Sequence, residues 1–305
     1  MKRSYWLLLL AFVLIGTFAF GWLNLTKTPA ADTAKFNGEH ALQDVQHQLE
    51  LGARTPGSKA HRLTAAYFTE ELEKSGWQVE IQETEWEGRP VRNVIAKRGS
   101  GDWLILGAHY DSRMAADEDP DPALQAQAVP GANDGASGAA VLLELGRPLP
   151  ADLDQEIWLV FFDAEDQGRL PGWDWILGSS AMAASLSASG RQPEAVIIVD
   201  MIGDADLNIY MEQNSDAELT RQIWAIAAEL GYADQFIPQY KYAILDDHTP
   251  FLNLGIPAVD IIDFDYPYWH TTQDTLDKIS ADSLEAVGHT LQQWITEWQD
   301  GFDSP

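Results

Sequence analysis

The most regular feature of this chain is a series of short apolar runs separated by amphipathic or polar segments. Four of these runs are almost free of polar residues, at 103–108, 157–162, 195–199 and 256–262. Runs of this length and composition are typical of strands that are buried on both faces of a sheet. Weaker strand patterns are found at 77–83, 92–97 and 207–211.

Apolar residues at helical spacing predict helices between and around these strands. The predicted helices span 40–51, 60–75, 216–230 and 281–298, with a further helix after residue 134. Ser58 can cap the second helix, and Gly76 and Gly231 follow the ends of two of them. Buried strands that alternate with helices predict an α/β fold, a three-layer sandwich with a mostly parallel mixed central sheet and helices on both faces. In such a sheet the functional site forms at the carboxyl ends of the strands.

The N-terminal residues have a different pattern, because Lys2 and Arg3 precede an uncharged apolar run from residue 5 to about 25. The run is just long enough to span a bilayer and has a tryptophan near each end. It predicts a membrane anchor with an extracytoplasmic domain; the alternative is a signal peptide, cleaved near Ala19 or Gly21, and a secreted protein. The predicted divisions are an anchor or signal segment at 1–25, a linker at 26–37 and one folded domain at 38–305.

The composition excludes several classes of function. The 305 residues include 47 acidic and 19 basic side chains, for a formal charge of -28, whereas nucleic-acid binding needs a basic surface. Most of these carboxylates are explained by solvation of an acidic surface, which can also steer cationic substrates. The chain has no cysteine, so disulfides, thiolate zinc sites and cysteine nucleophiles are excluded. No serine lies in a Gly-x-Ser-x-Gly motif, which disfavours a serine hydrolase.

Histidine and carboxylate side chains follow the predicted strands. They are His109, Asp111, Glu165, Asp166, Asp200 and His270. Each one alone is explained as well by a helix cap or an oriented loop side chain, but their convergence at one sheet edge favours a metal site with nitrogen and oxygen ligands. Zinc is the leading candidate. Small neighbours make Asp134 accessible, and in the pair Glu165-Asp166 one carboxylate can bind metal while the other transfers a proton.

The chain resembles the zinc-dependent aminopeptidase and glutaminyl cyclase superfamily, metallopeptidase family 28, in five motifs that occur in the same order. These are His109-x-Asp111, Asp134-Gly-Ala-Ser-Gly138, Glu165-Asp166, Asp200-Met-Ile-Gly203 and His270-Thr271. The resemblance covers about residue 38 to the C-terminus and implies that this part is a catalytic domain. It implies metal ligands at Asp134, Asp166 and His270. In the two-metal aminopeptidases, His109 and Asp200 would hold a second zinc, Asp134 would bridge the two ions, and Glu165 would be the general base.

Several details are more similar to glutaminyl cyclases. Trp269 directly precedes His270, residues 245–251 read Leu-Asp-Asp-His-Thr-Pro-Phe, and Glu165-Asp166-Gln167 is followed by two tryptophans. This resemblance implies one zinc, with Glu165 as the proton shuttle and Asp200 and Asp246 as its hydrogen-bonded partners. The implied walls of the substrate pocket are Trp173, Trp175, Trp269 and Tyr266.

The function expected from this resemblance is a zinc-dependent glutaminyl-peptide cyclotransferase, which converts the N-terminal glutamine of peptides or proteins to pyroglutamate and releases ammonia. The alternative is a zinc aminopeptidase of the same superfamily, with two zinc ions. The aminopeptidase-like segment 270–279 and Asp260, where animal cyclases carry a histidine, keep that alternative open. An inactive binding ectodomain is a third alternative. The expected partners are peptide N-termini and, through the N-terminal segment, a membrane, but no nucleic acid.

Overall fold

The computed structural model describes residues 35–150, 153 and 155–299. The predicted anchor at 1–25 and most of the predicted linker lie outside these residues, so both stay predictions. Within the described ranges, no helix is long and apolar enough to cross a membrane.

Helices and strands alternate through most of the domain. The helices are α1 Gly38–Leu51, α2 Lys59–Lys74, α3 Ala136–Gly146, α4 Leu177–Ser189, α5 Ala217–Glu229, α6 Thr249–Leu252 and α7 Ala281–Gln299. The strands are β1 Gln78–Trp86, β2 Arg89–Arg98, β3 Trp103–His109, β4 Glu156–Phe162, β5 Ala195–Asp200, β6 Ile209–Met211, β7 Phe236–Tyr240 and β8 Ala258–Ile262. Ser58 caps α2 as predicted, because its Oγ accepts a hydrogen bond from the His61 N–H at 3.0 Å.

Six strands form the main sheet, in the order β1-β2-β4-β3-β5-β8. The β1–β2 and β2–β4 pairs are antiparallel, whereas β4, β3, β5 and β8 are parallel to one another. The register aligns His109 with Phe162 and Asp200 with Ile262. The carboxyl ends of all four parallel strands therefore meet at one edge, as the predicted mixed sheet requires.

Both faces of the main sheet are covered by helices. Leu104 and Leu106 of β3 belong to a large core with side chains from α1, α2, α3, α5 and α7. Ile105 of the same strand points to the other face, where Met182 of α4 and Phe251 of α6 pack. Alternate residues of one strand thus enter two separate cores, because successive strand side chains point to opposite faces. This confirms the three-layer α/β fold.

Three elements were not predicted from the pattern, namely α4, β7 and α6. The α4 sequence consists mainly of alanine, serine and glycine, so it lacks the strong alternation of apolar and charged faces that predicts a helix. Strands β1 and β2 also extend beyond the predicted 77–83 and 92–97. They continue to a tight turn at Glu87 and Gly88, both of which have positive φ, and this geometry suits a two-residue hairpin.

Candidate active site

The carboxyl edge of the four parallel strands brings the predicted site residues together. His109 ends β3, Asp200 ends β5, and Glu165 and Asp166 lie in the loop after β4. Asp134 lies just before α3, and His270 lies in the loop that follows β8. Each of these six residues is at least nine-tenths buried, so their polar groups meet in a region largely closed to bulk water.

One group at this edge consists of Asp134, Asp166 and His270. Their ligand atoms all lie within 4.8 Å of one another. The His270 Nε2 is 2.8 Å from the Asp166 Oδ1 and 3.7 Å from the Asp134 Oδ2. These are the three residues that the sequence resemblance implied as shared metal ligands, and the fold places them in one compact set.

A second group consists of His109, Asp134 and Asp200, whose ligand atoms also lie within 4.8 Å of one another. The His109 Nε2 is 3.0 Å from the Asp200 Oδ1 and 3.2 Å from the Asp134 Oδ1. Asp134 therefore belongs to both groups and directs one carboxylate oxygen toward each histidine. The arrangement can accommodate either one or two cations.

A glycine allows Asp134 to approach the histidines this closely. Gly135 has φ +92°, a conformation that L side chains rarely adopt. A Cβ at this position would lie 2.4 Å from the Asp111 backbone oxygen and 3.1 Å from the His109 Cε1. The tight turn before α3 therefore depends on glycine, in agreement with the small-residue loop seen in the sequence.

Two further carboxylates, Asp111 and Asp274, hold the site loops in place. Asp111 was a metal-site candidate in the sequence, whereas Asp274 was not. Asp111 accepts hydrogen bonds from the backbone N–H groups of Glu165 and Asp166 and from the Gln167 side chain. Asp274 accepts from the Asn133 and Asp134 N–H groups at 2.8 and 3.1 Å. The only sequence signals were the His-x-Asp motif and the aminopeptidase-like segment at 270–279.

Two buried arginines brace the same loops. The Arg54 guanidinium donates to the backbone oxygens of Pro130 and Gly131, which lead into Asp134, and to that of Tyr110, which follows His109. Arg113 donates to the Asp166 backbone oxygen at 2.9 Å. Both arginines therefore supply donors and positive charge next to loops that carry several carboxylates. Neither arginine was a candidate in the sequence.

The backbone adopts an uncommon conformation beside the reactive groups. Among the described residues, six non-glycine residues have positive φ, and three of them border this site. Ala164 precedes Glu165, Met201 follows Asp200, and His270 itself has φ 57°. Such conformations cost about 1–3 kcal/mol each and persist where surrounding packing enforces them. They turn the chain sharply at the strand ends and aim the adjacent side chains inward.

A cavity of about 300 Å³ opens onto this edge. Carboxylates form one part of its lining, and the remainder is largely aromatic and aliphatic. The apolar lining includes Trp175, Met201, Ile244, Ile262, Phe264 and Trp269. Trp269 stacks on the His270 ring with centroids 3.6 Å apart, and Trp175 stacks on it at 6.0 Å.

Two of the four predicted pocket walls do not line this cavity. Trp173 lies instead beneath the Arg89 guanidinium, 4.6 Å from it, and packs near Val91 and Leu177. Tyr266 is buried, and its hydroxyl donates to the Asp274 Oδ1 at 2.8 Å, so it supports a loop. The spacing of the aromatic residues in the sequence could not separate these positions from Trp175 and Trp269.

Glu165 has the electrostatic setting of a group that can transfer protons. Burial, reinforced by the charges of Asp246 and Asp166, raises the pKa of Glu165 well above its ordinary value. Asp246 also lines the cavity, and burial raises its pKa as well. No hydrogen bond joins the Glu165 side chain to Asp200 or Asp246 among the described residues, so Asp246 acts on Glu165 through its charge in this structure.

The donor set fits a divalent metal ion such as zinc. The Asp134 Oδ2 and the Asp166 Oδ2 are buried and have no hydrogen-bond partner in the described part of the chain. Unpaired buried carboxylate oxygens are costly unless a cation or proton satisfies them. Imidazole and carboxylate ligands without sulfur suit zinc and related first-row metals. The residues present therefore match the metal that the sequence suggested.

Comparisons with known proteins agree with this geometry. The family model described as Peptidase family M28 matches residues 93–295. The glutaminyl-peptide cyclotransferase of Boiga irregularis is 26% identical, over 87% of this chain and 83% of its own length. Porphyromonas gingivalis glutaminyl cyclase superposes with a TM-score of 0.82 at 34% identity, covering 87% of this chain and 100% of that one. A Zn-dependent exopeptidase from Parabacteroides distasonis superposes with a TM-score of 0.80 at 31% identity, covering 86% and 99%.

The raised pKa values at the site predict how the metal-free protein responds to pH. Burial raises the pKa of Asp200 to about 7 and that of Asp166 to about 6, above an unfolded value of about 3.9. Protonation therefore stabilises the folded state, and this contribution is full below about pH 4 and is lost as the pH rises through 6 to 7. We expect the free energy of unfolding of the metal-free chain to fall across this window.

Urea unfolding of the full chain in chelator, at about pH 5, 6 and 7, measures this effect. Saturating zinc should reverse the trend, because zinc binds the deprotonated ligands and stabilises the folded state more at higher pH. Asp200→Asn is the matched control, since it removes one titrating group and should flatten the slope. A metal-free stability that is equal at the two ends of the range would contradict the prediction.

Proposed function

Because the chain belongs to peptidase family M28, we propose that it is a zinc-dependent glutaminyl-peptide cyclotransferase acting on peptide N-termini. The observation that carries the proposal is the cavity, in which carboxylates face a set of aromatic and aliphatic side chains. A cavity of about 300 Å³ suits one glutamine side chain with its α-amine. The similarity to glutaminyl cyclases over most of the chain supports this choice.

Asp134, Asp166 and His270 would hold the zinc ion, since they form one compact buried group. A catalytic zinc site uses three protein ligands and keeps a position open for substrate. When bound, zinc supplies a Lewis acid for the γ-carbonyl of the substrate glutamine. The stacking of Trp269 on His270 would fix the orientation of this histidine ring.

Glu165 would move the proton in the reaction. The α-amine nitrogen of the substrate attacks the γ-carbonyl carbon, and Glu165 takes the proton that this nitrogen loses. As the bond between this carbonyl carbon and the amide nitrogen breaks, Glu165 returns the proton to the amide nitrogen and ammonia leaves. The raised pKa of Glu165 suits both directions of transfer, because an acid/base group works best with a pKa near the working pH.

The apolar walls would orient the substrate and exclude competing water. Trp175, Ile244 and Phe264 line the cavity together with the carboxylates. Ring closure is intramolecular, so its barrier falls mainly when the amine is held close to the carbonyl. A pocket that contacts the aliphatic part of glutamine on several sides holds it in this bent conformation.

Asp200 and Asp246 would bind the substrate amine. Both carboxylates line the cavity together with Glu165. A positively charged or partly protonated amine is attracted by this concentration of negative charge. A second cation at Asp200 would compete with the amine for the same oxygen atoms, so the proposed reaction uses one zinc.

The second candidate function is a two-zinc aminopeptidase, which hydrolyses the first peptide bond. The observation that favours it is the fully assembled group of His109, Asp134 and Asp200, with Asp134 shared between both groups. The similarity to a Zn-dependent exopeptidase also supports it. In this reaction water is the nucleophile, and Glu165 would take its proton.

A direct comparison of two substrates tests the proposed function. The full chain, solubilised and loaded with zinc, is assayed on a glutaminyl arylamide and a leucyl arylamide under the same conditions. We expect ring closure on glutamine with release of ammonia and little release of arylamine from the leucyl substrate. Brisk leucine release with no cyclisation would replace the proposal with the aminopeptidase.

Glu165→Gln tests the proton-transfer role. This change keeps the side-chain shape and removes the titrating group, so zinc content should be retained while kcat falls by roughly 10²–10⁴-fold. Glu144→Gln is the matched control, because Glu144 is also a buried glutamate but lies on α3 and pairs with Arg147. Near-normal turnover of Glu165→Gln would remove Glu165 from the mechanism.

Asp200→Ala and His109→Ala distinguish one zinc from two at this centre. With one zinc, both variants should retain the metal ion. Asp200→Ala should then lose far more turnover than His109→Ala, because Asp200 is assigned to the substrate amine and His109 is not. With two zincs, each variant should lose one metal ion and most of the activity. Elemental analysis beside steady-state kinetics measures both quantities, and loss of metal from both variants would support the aminopeptidase.

A further inference from the structure

A second buried cluster lies next to the cavity and is separate from the groups that share Asp134. It consists of Asp246, His248 and Asp260, and their ligand atoms lie within 4.8 Å of one another. His248 and Asp260 are fully buried and Asp246 is nearly so. Asp260 lies within β8, and the other two residues lie just before or at the start of α6. We refer to these three residues as the β8 cluster.

The polar atoms of the β8 cluster are largely unsatisfied. Neither ring nitrogen of His248 and neither carboxylate oxygen of Asp260 has a hydrogen-bond partner among the described residues. The His248 Nδ1 lies 3.9 Å from the Asp260 Oδ2, so it points toward that carboxylate. A buried imidazole and carboxylate without partners cost free energy unless another group completes them.

The second ring nitrogen of His248, Nε2, has the surroundings that are typical of a metal-bound histidine. Its Nε2 lies 3.5 Å from the Glu212 Oε2. The Glu212 carboxylate is itself fixed, because it accepts from the N–H groups of Asn214, Ser215 and Ile244 and from the Ser215 hydroxyl. Metal-binding histidines usually direct their second ring nitrogen at such an anchored carboxylate, which fixes the tautomer and orients the ring.

The negative charge around Asp260 also favours binding of a cation. Asp246, Asp200, Glu212 and Asp247 all face Asp260 closely enough to raise its pKa further, after burial itself. His248 is the basic member of the β8 cluster. One neutral or singly charged imidazole cannot balance several carboxylates at this depth, whereas a divalent ion can.

We propose that Asp246, His248 and Asp260 bind a divalent cation of the zinc class, with Glu212 orienting His248. The set of one imidazole and two carboxylates is the same combination found in each group at the Asp134 centre. Zinc lies about 2.0–2.2 Å from such ligands, so a small movement of the side chains brings the three ligand atoms around one ion. Asp246 lines the cavity, which supplies an entry path.

The ion in the β8 cluster would have a structural and electrostatic role. It neutralises part of the negative charge behind Glu165 and Asp200, and it fixes the position of Asp246 at the cavity surface. Asp246 is shared with the proposed function, so an ion in the β8 cluster would leave the substrate amine mainly to Asp200. His248 and Asp260 take no part in either candidate reaction, so metal counting tests the ion separately from catalytic activity.

Metal counting in a chain without the other centre tests the proposal. In full-length protein carrying Asp134→Asn and His270→Gln, both groups at the Asp134 centre lose a ligand. After chelation, dialysis against zinc and removal of free metal, we expect this background to retain one zinc per chain by elemental analysis. Addition of His248→Gln should remove it. Equal zinc in the two proteins would overturn the site.

Further variants distinguish loss of the site from loss of the fold. In the same background, Asp260→Asn should also remove the zinc, and Glu212→Gln should weaken its affinity by about 10–100-fold without removing a ligand. His289→Gln is the matched control, since His289 lies on α7 and pairs with Tyr232, and it should leave the zinc content unchanged. Circular dichroism confirms that each variant is folded. Unchanged zinc affinity in folded Glu212→Gln and Asp260→Asn would contradict the proposal.

Discussion

Burial of several carboxylates at the carboxyl edge of the parallel strands is the constraint on which the rest of this structure depends. Asp134, Asp166 and Asp200 are buried together, and their mutual repulsion is relieved by His109 and His270. Imidazoles alone leave carboxylate oxygens without partners, and these oxygens are where cations are expected. The site is therefore assembled at a cost to stability that metal binding can offset.

The surrounding protein holds these groups in place mainly through the backbone. Asp111 and Asp274 accept N–H groups from the two loops that carry the candidate ligands, and Arg54 braces the loop before Asp134 through two backbone oxygens and the segment just after β3 through a third. Positive φ at Ala164 and Met201 then turns the chain so that the reactive carboxylates face the cavity. Local packing supports this strain, because Ala164 packs with Val91 and Leu177 and Met201 packs with Ile262 and Tyr266.

The same negative charge serves several chemical purposes. At Glu165 it raises the pKa and suits a group that both accepts and donates a proton. In the proposed reaction it would attract the substrate amine at the cavity surface, where aromatic side chains would orient the substrate. In the β8 cluster, where Asp260 has no partner for its carboxylate, the charge favours a further cation. The two candidate functions differ in the number of ions proposed at the Asp134 centre and in the nucleophile, which would be the amine with one ion and water with two.

The apolar runs in the sequence determined the strands, their burial and the α/β fold, because strand burial follows from local composition. They also placed His109, Glu165, Asp166 and Asp200 at strand ends, and parallel strands bring such ends to one edge. Only the tertiary structure decided that Asp274 and Arg54 support the loop before Asp134, and that Trp175 rather than Trp173 lines the cavity. These outcomes depend on sheet register, on strained loop residues and on contacts between distant segments, and none of these can be read from a local pattern.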